Sequence, residues 1–473
     1  VNYNRILEDN RTRLQLHSAL TYMLDNVVGE HQFKAGVDVA LNWNSVLDTR
    51  PGEIRYVDVG VADTSNPLSE PLPNYRWGTV DPEDTKIFGD NQGVFLQDVW
   101  KPIPNVILRP GFRFDTARMR NWDGETQVAL NTFSPRVGLA WDPFDDGKTL
   151  LRAGYWQYID TGYLALSGFA GGRTKIEQRW NYNRVTEQYD TFGGQQGGPD
   201  GAIGKDYLKE SWNQQRPRTH EIIIGFNREI IPDLEFSGSF IYRRHNNQWE
   251  DDEVNLMWNA DGTDVIGYRD GQERWIFSLG ALREAFIRYL GFELVLNKRF
   301  SRNWEMLASY SYARTEGTEP GIITAAFDNP AQREYEFGYL PHDRRHIVKV
   351  FASYQFPLGV VLGGSVQYLS GLPYNRWELN DFYGSYSNRY APRGEDWDPV
   401  TREPTGDDLR LPDRVMTNVR LMWQLEELTK QKIDVMLDVF NILNARTPIV
   451  VQQNNLDDGS FGEVIDKLDP LAV

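Results

Sequence analysis

The amino-acid sequence predicts an all-β protein, specifically an antiparallel transmembrane β-barrel with long outer loops and short turns at the opposite end. Three observations lead to this prediction. Apolar and polar residues alternate strictly in segments along the whole chain, charges in these segments fall on one face, and the links between segments are alternately short and long. Strict alternation gives a strand one apolar and one polar face. A Lys or Arg on a lipid-facing strand costs about 2–4 kcal/mol near the bilayer midplane, which explains charges on one face only.

The composition excludes several other classes of protein. The chain has 473 residues with 67 acidic and 50 basic side chains, a net charge of −17 and no cysteine. No nucleic-acid partner is predicted, because counterion release needs clustered Lys and Arg. Without cysteine there is no disulfide, zinc–thiolate site or cysteine nucleophile. The chain lacks a run of about 18 apolar residues, so no transmembrane helix is predicted, whereas a transmembrane barrel conceals its apolar residues in the alternation.

The alternation defines the strands in order along the chain. In residues 32–43, for example, an apolar face from Phe33 to Trp43 opposes a polar face that includes Lys34 and Asp38. Aromatic residues gather near strand ends, as an interfacial girdle requires; they are Tyr22, Trp43, Tyr242, Trp304, Tyr312 and Trp423. The predicted strands are 13–24, 32–44, 93–101, 105–116, 133–142, 149–160, 218–229, 233–244, 286–300, 303–314, 346–356, 360–369, 413–425 and 432–443.

The links between these strands favour a membrane barrel over a soluble sandwich or propeller, whose strands also alternate. Links within successive pairs are tight and contain Pro, Gly or Asp, the residues expected in hairpin turns. Long structureless loops are uncommon in compact soluble domains, and strict short and long alternation is typical of outer-membrane barrels. Segments 53–61 and 176–190 are candidates for additional strands, and Pro110 demands a bulge or break. The long links are 45–92, 117–132, 161–217, 245–285, 315–345 and 370–412.

Five motifs, in one order along the chain, resemble those of TonB-dependent outer-membrane receptors. The subgroup that they resemble is the Oar-like receptors, whose N-terminal extension is carboxypeptidase-regulatory-like. The motifs are FLQDVWKP (95–102) with RPGFRFD (109–115), SPRVGLAW (134–141), LRAGY (151–155), HDRRH (342–346) with SGLPY (370–374), and DVFNILN (438–444).

The resemblance implies a barrel of 22 strands, filled by an N-terminal plug and energised through a TonB box. In residues 1–473 we recognise no sequence that corresponds to the plug domain, the TonB box or the last strand of these receptors. The fourteen strands fit places eight to twenty-one of the 22. We therefore expect a partial barrel that other chain segments complete, because open sheet edges are not viable in a membrane.

The function that the resemblance implies is that of a receptor in the outer membrane of a Gram-negative bacterium, which captures a substrate with its external loops for TonB-driven import. The expected partners are outer-membrane lipid, the TonB complex through the missing N-terminal part, the substrate and surface proteins. No cofactor, metal or enzymatic chemistry is implied. The alternative is a barrel that acts as a scaffold or adhesin in a surface assembly, and a third is a secreted all-β hydrolase.

Three polar motifs suggest chemistry, and each has a simpler interpretation. The HDRRH segment at 342–346 could bind a metal or an anion, but it also fits a charged loop-to-strand junction. The segments 142–147 and 457–459 resemble calcium loops but lack the full ligand pattern with its distal Glu. Carboxylate pairs suit glycoside hydrolysis, yet no GxSxG, P-loop or HExxH motif accompanies them.

Aromatic residues in two external loops are the predicted ligand contacts, since amphipathic aromatic side chains offer a large contact area at low entropic cost. The acidity of these loops favours a cationic or neutral ligand such as a peptide, glycan or metal chelate. Alternatively, these loops pack on one another as a cap above the lumen. The candidates are Trp249, Trp258 and Trp275 in loop 245–285, and Tyr374, Trp377, Tyr383, Tyr386 and Trp397 in loop 370–412.

Overall fold

Fourteen antiparallel strands form one continuous sheet in the computed structural model of the chain. The structure describes residues 6–25, 27–49, 51–61, 71–81, 83–121, 124–160, 174–198, 216–260, 262, 264–271, 277–318, 329–380, 385–454, 459–470 and 472. The strands are β1 (Ile6–Leu24), β2 (Glu30–Thr49), β3 (Glu83–Ile103), β4 (Val106–Leu108 and Gly111–Arg120), β5 (Thr126–Trp141), β6 (Thr149–Ile159), β7 (Arg218–Ile231), β8 (Leu234–Asn246), β9 (Phe286–Ser301), β10 (Trp304–Gly317), β11 (His346–Gln355), β12 (Val360–Leu369), β13 (Arg414–Gln424) and β14 (Asp434–Val439).

Each strand pairs with its neighbours in the chain, so the sheet is an up-and-down meander. All fourteen predicted strands are confirmed. Most extend beyond their predicted ends, β3 by ten residues at its start, whereas β14 is shorter than predicted. Within the described residues, β1 and β14 are the two edges of the sheet, and each pairs along its length with one neighbour. The sheet is thus the wall of a barrel with two unpaired edges.

Proline divides β4 into two parts, as the sequence predicted. The first part pairs Leu108 with Trp100 of β3, and the second resumes where Gly111 pairs with Gln97. Pro110 lies between them and uses its carbonyl oxygen to accept the backbone N–H of Asp98 (2.9 Å). The break is local because proline removes a donor but leaves the acceptor.

The connections confirm the predicted alternation, with one correction. The links within successive pairs are short, whereas those between pairs are long. Link 117–132 was predicted to be long, and this is wrong: β4 continues to Arg120 and β5 begins at Thr126. Apolar and polar residues still alternate within 117–132, but Gly124 and the polar residues around it made the whole segment resemble a loop in the sequence.

Loops carry secondary structure of their own. The predicted extra strands are confirmed as members of a four-stranded sheet, in the order Gln188–Gly198, Thr174–Asn183, Pro71–Asp81, Ile54–Val61. Strand Gly338–Tyr339 pairs with β10. Two-stranded pairs are Trp249–Glu253 with Phe277–Ala281, Leu256–Trp258 with Val265–Tyr268, Glu378–Asn380 with Ser385–Asn388, Glu395–Trp397 with Pro404–Asp408, and Pro448–Val451 with Val464–Lys467. Short helical turns occupy Pro51–Glu53, Pro330–Tyr335, Pro357–Gly359 and Glu426–Thr429.

The two faces of the sheet differ in chemistry. The inner face carries ion pairs, such as Arg113 with Asp38 (2.5 Å) and Arg420 with Asp438 (2.5 Å). The outer face exposes a band of large apolar residues, as contact with lipid tails requires. Its members include Val94, Leu96, Phe112, Phe114, Phe133, Ile222, Ile224, Phe292, Leu294, Leu362, Val366, Leu421, Val435 and Leu437.

Tryptophans mark the short-turn border of this apolar band. The Nε1 of Trp100 donates to the carbonyl oxygen of Val28 (2.8 Å), and that of Trp423 donates to Leu358 (3.0 Å), in two different short turns. Indole rings with one polar end favour this interfacial position. The longest strand, β3, has 21 residues, whereas about 9–11 suffice to cross the bilayer. The wall therefore projects beyond the membrane at the loop end. No helix among the described residues has the length and apolar character to cross a bilayer.

Candidate functional site

Three loop segments meet beyond the loop end of the wall. The backbone N–H of Tyr339 donates to Arg393 (2.9 Å) and joins the first segment to the second. The N–H of Trp377 donates to Gln453 (2.9 Å) and joins the second to the third. We call these three segments together the loop cap: residues 329–345, 370–380 with 385–413, and 440–454 with 459–470 and 472.

A buried carboxylate holds the base of the loop cap. Asp343 is 0% exposed and accepts hydrogen bonds from the Nη2 of Arg410 (2.5 Å) and the backbone N–H of Thr315 (2.6 Å). It also forms an ion pair with the Nε of Arg345 (3.3 Å). Arg410 also donates to the carbonyl oxygen of Gly371 (3.2 Å). The charge of Asp343 is therefore matched by two guanidinium groups, which makes its burial tolerable.

Glycine allows the two ends of loop 370–413 to approach closely. A Cβ added at Gly371 would overlap the carbonyl oxygen of Leu411. The N–H of Leu411 donates to Leu372 (2.9 Å), and the N–H of Gly371 donates to the Asp413 carboxylate (3.0 Å). The SGLPY motif thus closes the loop at its base.

One arginine connects the second and third segments of the loop cap. The guanidinium carbon of Arg376 lies 3.5 Å from the ring centre of Phe461, and its Nε donates to Asp396 (2.8 Å). The carbonyl oxygen of the same arginine accepts the indole N–H of Trp397 (3.0 Å). Cation–π contacts of this kind strengthen when the cation is partly desolvated.

A second carboxylate is shared by two buried arginines. Glu336 binds the Nη2 of Arg389 (2.7 Å) and of Arg393 (3.0 Å), and all three are nearly fully buried. The guanidinium of Arg389 also lies over the ring of Trp377 (4.9 Å). The loop cap is thus held by alternating guanidinium groups, carboxylates and aromatic rings.

A small apolar core lies inside the second segment. Tyr390, Ala391 and Trp397 are buried together, with the rings of Tyr390 and Trp397 5.0 Å apart. Burial and the nearby Glu378 carboxylate raise the pKa of Tyr390. The guanidinium of Arg402 lies over the Tyr390 ring (5.0 Å) and lowers this pKa. Burial and Glu378 outweigh it, so the phenol is neutral at physiological pH.

The outermost hairpin of this segment carries carboxyls with opposite shifts. Burial and the facing Asp408 raise the pKa of Glu395. The backbone N–H groups of Thr401 and Val400 lower the pKa of Asp398 in the turn. One carboxyl of the hairpin is therefore disfavoured as an anion, whereas the other stabilises the turn as an anion.

The structure places several predicted ligand contacts of loop 370–412 in the loop cap. Tyr374, Trp377 and Tyr386 are partly exposed within the loop cap. Trp397 is only 1% exposed and belongs to the apolar core described above. Tyr383 lies outside the described residues. A role in ligand contact stays a prediction for these side chains, and the exposed rings are those a ligand could reach without rearrangement.

The described part of the other predicted loop, 245–285, forms two small pairs of strands beside the loop cap. Trp249 is 2% exposed and begins one hairpin, whereas Trp258 is partly exposed and ends a strand of the other. Trp275 lies outside the described residues. The side chain of Asn329 donates to the carbonyl oxygen of Gly262 (2.5 Å) and ties this loop to the loop cap.

The polar motifs take the simpler of their two interpretations where the structure describes them. The HDRRH segment is a loop-to-strand junction, in which Asp343 is occupied by arginines and His346 contacts the hydroxyl of Tyr310 (3.0 Å). In segment 142–147, Asp142 accepts the backbone N–H of Gly147 (2.7 Å), which is ordinary turn chemistry. The described residues contain no group of three His, Asp or Glu side chains that could hold a metal. Residues 457–458 lie outside the described residues.

Sequence reasoning missed the residues that hold the loop cap together. Arginines and carboxylates that are far apart in sequence, such as Glu336 and Arg393, have no spacing that would reveal their pairing. Their only local signal is the density of arginines beside aromatic residues in loop 370–412.

Comparison with known proteins agrees with this architecture. Residues 121–387, more than half of the chain, match the family model described as "Outer membrane beta barrel domain". The chain belongs to this family of outer-membrane β-barrels. The predicted all-β barrel and its location in the outer membrane of a Gram-negative bacterium are confirmed by this membership.

This outer-membrane barrel is also similar to TonB-dependent transporters, which confirms the predicted resemblance. The TonB-dependent transporter Oar of Myxococcus xanthus is 25% identical over 494 aligned residues, which cover 93% of this chain and 44% of Oar. This chain therefore spans less than half the length of that curated relative.

Solved structures of outer-membrane transporters share the fold. The transporter YddB from Escherichia coli has a TM-score of 0.64 at 13% identity, over 98% of this chain and 53% of YddB. The ferric citrate transporter FecA has a TM-score of 0.55 at 12% identity, over 99% of this chain and 54% of FecA. These similarities concern the wall and loops, and the position of the strands within a complete barrel stays a prediction.

Proposed function

We propose that this chain forms the wall and outer loops of a TonB-dependent transporter that captures its substrate on the loop cap for energised import. The observation that carries the proposal is the loop cap itself. Three loop segments far apart in sequence converge there and leave Tyr374, Trp377 and Tyr386 partly exposed. Partly exposed aromatic rings on a rigid base are well suited to binding.

The chemistry of the outer loops narrows the substrate class. The chain carries a net charge of −17, which favours cationic or neutral ligands over free anionic ones by electrostatic steering. A peptide, a glycan or a metal chelate meets this requirement and has surface to place against aromatic rings. Arginines such as Arg376 and Arg389 are occupied by carboxylates and rings inside the loop cap.

Energy for import would come from the TonB complex. In this proposal the plug domain and TonB box are supplied outside residues 1–473, and the fourteen strands occupy places eight to twenty-one of a barrel of 22. The similarity to the TonB-dependent transporter Oar supports this arrangement. Within the described part of the chain, β1 and β14 each have one edge without a strand partner. This also supports the proposal, because unpaired backbone groups in hydrocarbon are costly.

A surface scaffold or adhesin is the second candidate. The buried cluster around Trp397 favours this candidate, because a packed core holds the loop cap in one shape, as a surface that recognises a protein partner requires. The two functions differ in one respect that can be measured. A transporter needs TonB, whereas a scaffold does not.

Growth of cells that depend on the full-length protein tests the proposal. Cells would receive a peptide, a glycan or a metal chelate as the limiting nutrient, with wild-type protein, with the Trp377→Ala variant, or without TonB. We expect both the variant and the loss of TonB to slow growth several-fold on one of the three nutrients. The control is Trp423→Ala, which removes an indole at the short-turn end.

Two results would contradict the proposal. Normal growth of Trp377→Ala cells on a nutrient that requires TonB would remove the loop cap from substrate capture. Growth that is independent of TonB on all three nutrients, together with loss of a surface assembly when the gene is deleted, would favour the scaffold.

A further inference from the structure

Four arginines project from the outer face of adjacent strands. They follow one another across β7, β8, β9 and β10, so they form a row on the wall that faces lipid. We call them the arginine row: Arg218, Arg244, Arg288 and Arg314.

Strand register places the arginine row along the membrane plane. Arg244 pairs directly with Arg288. Arg218 pairs with Asn246, and Arg244 lies two residues closer to the short turns than Asn246 on the same strand. In the same way, Arg288 pairs with Glu316, and Arg314 lies two residues closer to the short turns than Glu316. The row thus descends by four residues over three strands. Barrel strands tilt by about 35–45° from the barrel axis. With strands ~4.8 Å apart, a line parallel to the membrane therefore shifts by roughly 1.2 residues from each strand to the next, which is close to the descent of the arginine row.

Aromatic residues lie just below the arginine row on the same face. Tyr242 precedes Arg244 by two residues, and Tyr312 precedes Arg314 by two. Below Tyr242 on the same outer face lies Phe240, which pairs with Phe292 of β9; their apolar rings are 5.0 Å apart. Tyrosine marks the level of lipid headgroups in membrane proteins. The arginines therefore lie in or just outside the headgroup layer of the outer leaflet.

The charge of the arginine row is poorly matched within the chain. Arg288 and Arg314 both pair with Glu316, whose side chain is 3% exposed while theirs are 44% and 46% exposed. Arg244 donates to the amide oxygen of Asn246 (2.7 Å) and lies over the Phe286 ring. Neither it nor Arg218 forms an ion pair with a carboxylate of the described residues. The row therefore has a net excess of positive charge, in a chain that is strongly negative overall.

We propose that the arginine row binds the phosphate groups of anionic lipid headgroups in the outer leaflet. Guanidinium groups match phosphate oxygens with two parallel hydrogen bonds, and the adjoining apolar band receives the acyl chains of the same lipid. This continuity with the lipid-facing surface favours a lipid over a soluble partner. The proposal concerns the barrel surface and is independent of transport.

Lipid binding to the full-length protein tests this proposal. Protein purified in an uncharged detergent would be mixed with diphosphorylated lipid A, and bound lipid would be counted by native mass spectrometry. A basic residue near a membrane surface contributes about fivefold in binding, so we expect Arg218→Gln/Arg244→Gln to weaken binding roughly 25-fold. Lipid A with one phosphate should bind less tightly than the diphosphorylated form.

A matched control lies one residue away. Arg243→Gln makes the same change on the same strand, but its side chain faces inward and binds Glu221, so its lipid binding should equal that of the wild type. Heat-modifiable mobility in gels verifies that each variant is folded, and single Arg218→Gln serves if the double variant is not. Equal binding by the outward variants and the wild type, equal weakening by Arg243→Gln, or full displacement by millimolar inorganic phosphate would each overturn the proposal.

Discussion

At the scale of single residues, the loop cap depends on a few buried polar side chains. Asp343 joins a strand end to a distant loop through Arg345 and Arg410. Asn441 does the same after β14, where its side-chain amide donates to the carbonyl oxygens of Ala445 (2.9 Å) and Asp469 (2.8 Å). Buried groups of this kind specify one arrangement, because any other leaves them unsatisfied.

The change Asp343→Asn should loosen the loop cap. It removes the charge that two arginines share and leaves both in a largely dry site, a loss of about 3 kcal/mol for a broken buried pair. Hydrogen–deuterium exchange of residues 405–413 would show that their amides exchange faster, by the factor that a loss of about 3 kcal/mol in local stability corresponds to. Asp407→Asn, an exposed position in the same loop, is the control and should exchange like the wild type. Unchanged protection in Asp343→Asn would mean that the arginines do not rely on this carboxylate.

The change Gly371→Ala should open the base of loop 370–413. The new Cβ overlaps the carbonyl oxygen of Leu411, and relieving the overlap separates the two ends of the loop at a cost of about 1–3 kcal/mol. Limited proteolysis of loop 370–413 is the measurement, and cleavage should be faster than in the wild type. Gly363→Ala is the control, since its Cβ would meet neighbours at 3.9 Å or more. Equal cleavage in both variants would contradict the close approach at Gly371.

At the scale of secondary-structure elements, strands tolerate sequence features that look like breaks. The Pro110 break occupies two positions, 109 and 110, and pairing continues on either side because β3 and β5 hold both parts of β4. Among the described residues, the two-stranded pairs of the loops have no such support on two sides. Their stability depends on charges and caps within the hairpin, which makes them sensitive to pH.

The hairpin Glu395–Trp397 with Pro404–Asp408 should become more stable as pH falls below neutral. Burial and Asp408 raise the pKa of Glu395 in the folded hairpin, so the folded form binds this proton more tightly than the unfolded form. Stability is therefore lost as pH rises from the unfolded value, near 4.3, through the raised folded value. Glu395→Gln should abolish this dependence and protect the hairpin at pH 7, as measured by exchange of the Trp397 amide.

The carboxyl of Asp398 provides the control for this titration. Its pKa is lowered by backbone N–H groups of the turn, so its contribution is complete at neutral pH and is lost only in stronger acid. Asp398→Asn should leave the behaviour between pH 5 and 7 unchanged. A Glu395→Gln variant that still shows the full pH dependence would assign it to another group.

At the scale of the whole molecule, the outer face must meet hydrocarbon. The change Phe292→Arg places a charge in the apolar band, close below the tyrosine level, and should lower the free energy of unfolding in lipid vesicles by about 1–3 kcal/mol, between the costs at the interface and at the bilayer midplane. The measurement is urea unfolding of the full-length protein. Phe292→Ala separates the loss of packing against Phe240 from the cost of the charge.

An inward position on the same strand completes this comparison. Val295 pairs with Ser237 and Ser309 on the inner face, so Val295→Arg places its charge in the lumen and should cost less than Phe292→Arg. If both arginine variants unfold at the same urea concentration, the outer face does not contact lipid, and the membrane architecture is wrong.

The sequence by itself determined the strands, the two faces and, except at 117–132, the alternation of turns and loops. These features are local: backbone sterics set the period of two, and Pro, Gly and Asp set the tight turns. The partly exposed Tyr374, Trp377 and Tyr386 could also be selected from the sequence, because aromatic residues cluster in one long loop.

Only the tertiary structure decided which distant residues meet. The pairing of Asp343 with Arg410, the burial of Trp249 and Trp397, and the alignment of the arginine row depend on strand register and on how loops settle against one another. Such contacts join positions tens of residues apart, and their energies depend on burial and geometry that appear only once the sheet has curved. The period-two pattern of the sequence does not reveal which of these distant residues contact one another.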